Sequence, residues 1–280
     1  QGNALYRKGN IDGAIEIWLK AAAADSTYAD TFNNLGVAYY EKGAYRSAAD
    51  TLRLAVALDS RHDKALNTLG NAYLALGEYD SAKVCYERSI ALDRNAQKYA
   101  NLGNVLYGLG DLDGAVKALK RAVDLDGKNA ASRNNLGVAL QRKGDRKGAE
   151  IEYREAIKLD RNYSAAFSNF GTLVFDDGKG DAVKAADYFN QALRLNPNDI
   201  LALYNLGLLY ARQGDPSNAV TNLRKASDQA PGDVDIQYAL GLAYAARKSS
   251  SEAIRCFEAA IKLNPAHAEA KSALAVLKRP

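Results

Sequence analysis

Residues 29 to 62 read ADTFNNLGVAYYEKGAYRSAADTLRLAVALDSRH, and this stretch decides the fold. Leu35, Gly36 and Tyr39 recur with helical period. Gly43 then ends the run, because glycine takes the left-handed conformation that a helix C-cap requires. Ala48, Leu52 and Ala55 repeat the i, i+4, i+7 stripe of a second helix. The small residues Gly36 and Ala48 let the two backbones approach, and Tyr39 and Leu52 fill the space beside them.

The same spacing extends in both directions. Gly2, Gly36, Gly70, Gly103, Gly137, Gly171, Gly207 and Gly241 follow one another at intervals of 34, 34, 33, 34, 34, 36 and 34 residues. Leu35 before the glycine becomes Leu69, Leu102, Leu136, Phe170, Leu206 and Leu240. A small residue recurs as Ala14, Ala48, Ala82, Ala115, Ala149, Ala185, Ala219 and Ala253. A bulky one follows four positions later, as Trp18, Leu52, Tyr86, Leu119, Tyr153, Phe189, Leu223 and Phe257. A glycine closes each first helix except the last, where Lys248 stands. A helical hairpin of this size cannot bury its apolar face alone, so neighbours must stack.

Length changes fall only between helices. The fourth unit is one residue short around Asn95 to Lys98, and the sixth is two residues long within Asp176 to Asp181. After Pro265, residues 266–278 form one more amphipathic helix. Its residues Ala270, Ala273, Leu274 and Leu277 face inward, as a cap would. The first unit lacks the front of its first helix.

This multi-residue pattern resembles the tetratricopeptide repeat (TPR) family over essentially the whole chain. The resemblance implies an all-α, right-handed superhelical solenoid of helix-turn-helix repeats. Residues 1–280 then form one array of about eight repeats, the first truncated. It also implies that the first helices line a concave groove.

Composition agrees with a folded, helix-rich chain: 48% hydrophobic and 25% charged residues, with 5 prolines. The net charge of +4 is small for 280 residues, a weak pull toward acidic partners. No apolar run is long enough to cross a bilayer, which argues against direct membrane insertion. The chain has no methionine and opens on Gln1 inside half a helix. It reads as a fragment or processed form whose targeting signal can lie outside it, with a soluble, cytoplasmic location favoured.

Candidate chemistry is sparse. Cys85 and Cys256 lie several repeats apart, too far for a disulfide. His62 and His267 read as exposed loop residues and are too distant to share a metal or serve a nucleophile. The run Asp176-Asp177-Gly178-Lys179-Gly180-Asp181 fits neither register of a calcium loop and reads as a turn. No metal, cofactor or catalytic group is expected, so the chain reads as a non-enzymatic protein.

One stripe stands out. Two residues before the repeat glycine come Asn34, Asn101, Asn135, Asn169 and Asn205, with Thr68 and Ala239 breaking the series. Asn67 sits one residue earlier, and Asn71 and Asn104 one residue after the glycine, on the same helical face. Five asparagines in mid-helix cost on the order of 3 kcal/mol relative to alanine, so something must offset them. An amide offers both donor and acceptor and can pair with a passing peptide backbone. The stripe is similar to the asparagine ladder in the TPR arm of O-linked N-acetylglucosamine transferase. The alternative is that the amides bond to neighbouring repeats. Tyr40 and Tyr107, four residues after the glycine, either anchor a ligand side chain or pack on the next repeat.

The expected function is therefore that of a protein–protein interaction scaffold or adaptor, binding an extended peptide or partner protein in its groove. The alternative is the substrate-recruiting arm of a larger enzyme such as a glycosyltransferase. RNA binding is disfavoured because acidic and basic residues mix along the face, where a nucleic-acid groove needs a basic stripe. Self-association remains open, since a truncated end exposes apolar surface.

Overall fold

The structure is a computed structural model that describes residues 1–175 and 181–278. Among these residues there are seventeen α-helices and no strand. In chain order they are α1 (Gly2–Arg7), α2 (Ile11–Ala24), α3 (Ala29–Glu41), α4 (Tyr45–Leu58), α5 (Asp63–Ala75), α6 (Tyr79–Leu92), α7 (Ala96–Gly108), α8 (Leu112–Leu125) and α9 (Ala130–Lys143). They continue as α10 (Arg146–Leu159), α11 (Ser164–Phe175), α12 (Ala182–Leu195), α13 (Ile200–Arg212), α14 (Pro216–Gln229), α15 (Val234–Ala246), α16 (Ser250–Leu263) and α17 (Ala268–Leu277). Odd numbers up to α15 are first helices of repeats and even numbers are second helices. The chain divides into two compact units, Gln1–Asp145 and Arg146–Pro280.

Within a hairpin the packing follows the glycine. A Cβ added at Gly36 would sit 2.3 Å from Leu52 Cγ, and one at Gly103 2.5 Å from Leu119 Cγ. Leu52 and Leu119 are buried, as are Ala48 and Ala115 beside them. Helix backbones thus close onto each other with the bulky residue of the second helix seated on the glycine of the first. Successive first helices also touch: α3 with α5, α5 with α7 and α7 with α9 in the first unit, α11 with α13 and α13 with α15 in the second. Successive second helices make no comparable contact among the described residues.

Turn chemistry is local. Gly9, Gly43, Gly77, Gly110, Gly144 and Gly214 end first helices with φ between 74 and 93°. Lys248 occupies the same place with φ 62°, a conformation in which its Cβ crowds the carbonyl oxygen. Lys248→Gly is expected to raise stability by about 1 kcal/mol, read as an increase in the urea midpoint.

His62 and His267 are not exposed loop residues. Their side chains are only 11% and 12% exposed, because each is an N-cap. His62 Nδ1 accepts from Ala65 N–H at 3.2 Å, and His267 Nδ1 from Ala270 N–H at 3.3 Å. A ring nitrogen does here what Asp111 and Asp199 do with carboxylates. At the chain's end α17 packs Ala270, Ala273, Leu274 and Leu277 on the core of the preceding repeat and leaves Glu269 and Lys271 exposed.

The shortened loop of the fourth repeat brings Lys98 inward, where it is 4% exposed. Its Nζ bonds Asp63 Oδ1 at 2.7 Å and Asp93 Oδ2 at 2.9 Å, and Ser89 Oγ also donates to Asp63 Oδ1 at 2.6 Å. Two repeats are joined through one ammonium.

Candidate functional site

The asparagine stripe lies along the first helices, and its amides reach back one repeat. Asn34 Nδ2 donates to Asn3 Oδ1 at 3.4 Å, Asn101 Nδ2 to Asn71 Oδ1 at 3.2 Å, and Asn135 Nδ2 to Asn104 Oδ1 at 3.1 Å. Asn205 Nδ2 donates to Thr172 Oγ1 at 3.0 Å. In each case the residue two before one repeat's glycine bonds the residue one after the previous repeat's glycine.

The two breaks in the stripe coincide with steps that lack this acceptor. Where the residue after the glycine is Val37 or Leu208, there is no acceptor, and the next repeat carries Thr68 or Ala239 in place of asparagine. At these two steps both halves of the bond are lost together; Val138 also follows a repeat glycine without offering an acceptor, yet the next repeat keeps Asn169. Four hydrogen bonds at about 1 kcal/mol each match the helix-propensity cost of the asparagines.

Two of the acceptors are themselves fixed by the second helix of their own hairpin. Trp18 Nε1 donates to Asn3 Oδ1 at 3.1 Å and the Tyr86 hydroxyl to Asn71 Oδ1 at 2.6 Å. Burial pushes the Tyr86 phenol pKa up, so it stays a donor. Asn71→Ala should cost about 2 kcal/mol, because the buried Tyr86 hydroxyl loses its acceptor. Chemical denaturation of Asn71→Ala against Asn71→Ala/Tyr86→Phe should show part of that loss recovered in the double variant.

The remaining stripe residues differ in exposure. Asn34, Asn71, Asn101, Asn104, Asn135 and Asn169 are half-buried, whereas Asn205 is buried. Asn67 turns its side-chain oxygen into the packed interior, where that atom meets no hydrogen-bond partner, as does the Asn33 oxygen. Thr172 and Asn3 take part in the same bonds; Asn3 follows its repeat glycine as Asn71 and Asn104 follow theirs, whereas Thr172 did not stand out in the sequence by itself. The signal that identifies them is the pairing of positions about one repeat apart.

A second ladder runs through the aromatic residues. The Tyr6 hydroxyl bonds Glu41 of the next repeat; burial, then this bond and the Glu41 charge, push its pKa up to about 12. The Arg142 guanidinium lies 5.8 Å from the Tyr107 ring centre, and that of Arg212 4.3 Å from the Phe175 ring centre. Tyr40 instead meets Tyr45 at 5.4 Å. Between α1 and α3 the first-helix face opens a pocket of about 220 Å³ lined by Asn3, Tyr6, Arg7, Trp18, Asn34 and Val37.

Among the described residues no group of three or more His, Cys, Asp or Glu is placed to hold a metal, and no helix is long and apolar enough to cross a membrane. Asp176 to Gly180, weighed above as a calcium loop, lie outside the described residues. Both cysteines are free, and burial pushes their thiols up to about 11.

Comparison with known proteins places the fold. A TPR repeat profile matches residues 2–43, 103–144 and 179–214. Tetratricopeptide repeat profiles match 29–62 and 130–163, 63–95, and 210–277. A stretch of 47 residues is 43% identical to the photosystem I assembly protein Ycf3 of Acaryochloris marina (strain MBIC 11017), covering 17% of this chain and 28% of that protein. The Cut9 and Hcn1 hetero-tetramer of APC/C superposes with a TM-score of 0.75 at 18% identity, over 99% of this chain and 54% of that one. YrrB, described as a TPR protein with an unusual peptide-binding site, gives a TM-score of 0.57 at 24% identity, over 71% of this chain and 99% of its own. The chain thus spans 28% of the Ycf3 length and about half of the APC/C chain. With the hairpin register repeated along the chain and these profiles matched across it, the chain belongs to the tetratricopeptide repeat family.

Proposed function

We propose that the chain is a non-enzymatic protein-interaction scaffold that holds an extended peptide segment of a partner along its first-helix face. The observation that carries this reading is the set of half-exposed amides held in place by their neighbours. Asn34, Asn101 and Asn135 each commit one N–H to the previous repeat and keep a second. A donor fixed before binding loses little rotamer freedom on pairing with a peptide carbonyl. The pocket beside Asn3 and Asn34, walled by Tyr6 and Trp18, offers room for a ligand side chain. The fold likeness to YrrB, itself a peptide-binding TPR protein by its description, supports the same use.

The test is a peptide array probed with the wild type and with Asn34→Ala/Asn101→Ala/Asn135→Ala, at a temperature where circular dichroism shows both fully folded. Binding should weaken by about tenfold or more, equivalent to about 1.4 kcal/mol. Unchanged affinity would leave the amides as ties between repeats and nothing else.

A further inference from the structure

On the opposite side of the first unit, α4 and α6 leave a groove of about 950 Å³. It runs from Asp50 to Ala57 on α4 and from Ser81 to Arg88 on α6. At 1.5 Å per residue, both edges are roughly 10 Å long, two turns of a helix. The floor is apolar, formed by Val56, Leu69, Tyr73 and Cys85. Leu54 and Val84 face it from the two walls and are each 53% exposed.

The rim is unbalanced in charge. Arg53 and Arg88 stand on it against one carboxylate, Asp50. Arg53 reaches Asp50 only at 3.9 Å, and Arg88 donates to the neutral carbonyl of Ser60 at 3.0 Å. Each guanidinium therefore keeps donors for a further anion. We propose that this groove docks a short amphipathic helix of a partner protein, with leucine-like residues at i, i+4 and i+7 on the floor and carboxylates against Arg53 and Arg88. A third helix laid between two helices is the ordinary way to fill such a gap, and the rim selects acidic flanks. This site is separate from the amide stripe, so either can fail without the other.

The test uses two helix-stapled synthetic peptides with the same leucine face, one flanked by glutamates and one by lysines, followed by fluorescence anisotropy. The glutamate peptide should bind at least about tenfold more tightly, and Arg53→Glu/Arg88→Glu should reverse the preference. Leu54→Lys and Val84→Lys place charge at exposed positions, so the fold survives, and each should weaken binding by about tenfold. Asn34→Ala/Asn101→Ala/Asn135→Ala should bind the glutamate peptide as the wild type does. Equal affinity for the two peptides, or indifference to Leu54→Lys, overturns the proposal. So does a concentration-dependent dimer that Leu54→Lys abolishes, because the groove's occupant is then a second copy of the chain.

Discussion

Gly36→Ala is expected to destabilise the first unit by about 2 kcal/mol, although alanine is the better helix former by about 1 kcal/mol. The new methyl would meet Leu52 Cγ at 2.3 Å. That atom is the branch point of a buried side chain, so the clash cannot be relieved by swinging a chain end away. Relief requires the two helices of the hairpin to part, which loosens the contacts of Ala48 and Leu52 as well. Gly232→Ala, where a Cβ meets nothing within 4 Å, is the control and should leave stability unchanged. Urea titration reads both. Combining Gly36→Ala with Leu52→Ala should show favourable coupling of about 1 kcal/mol or more, since the alanine methyl then has room. Additive losses would mean that the glycine is not held by this contact.

Lys98→Met should cost about 2 kcal/mol near neutral pH, because it strands Asp63 between two repeats while keeping the apolar stem. The Asp63 side chain is 30% exposed, which keeps the loss below that of a fully buried pair. The pH dependence has a definite sign. Burial works against the Lys98 ammonium, but the bonds to Asp63 and Asp93 and their charges outweigh it and hold its pKa above the usual value. Its contribution is therefore complete below the ordinary lysine range and disappears as pH rises through the raised value. The Lys98 and Asn95 bonds lower the Asp93 pKa, so the part carried by that carboxylate holds above the ordinary aspartate range and disappears as pH falls through the lowered value. The gap between wild type and Lys98→Met should be widest at neutral pH and narrow toward both extremes. A gap independent of pH would assign the loss to packing alone.

Much of the hairpin was legible in the sequence because its determinants are local and periodic. Gly36 and Leu52 announce a helix crossing by their spacing, and Gly43 announces a left-handed cap. The loop position of His62 was legible too, but its use as a helix cap was not, because imidazole is an unusual acceptor for that place. The asparagine stripe was visible as a register, with its cost in helix propensity. What offset that cost stayed open between a passing peptide and a neighbouring repeat, because the partner atoms lie about one repeat away and on the other side of the glycine.

Repeat length, paired helices, glycine turns and family all follow from residue spacing within one or two hairpins, so they can be read from the chain before it is folded. Where the amides of Asn34, Asn101, Asn135 and Asn205 point, which side of Asn67 is buried, and that a groove opens between α4 and α6 emerge from the packed chain alone. Those outcomes depend on how one hairpin is seated on the next. That seating is set by many side chains packing at once, none of which carries the answer in its own position along the chain.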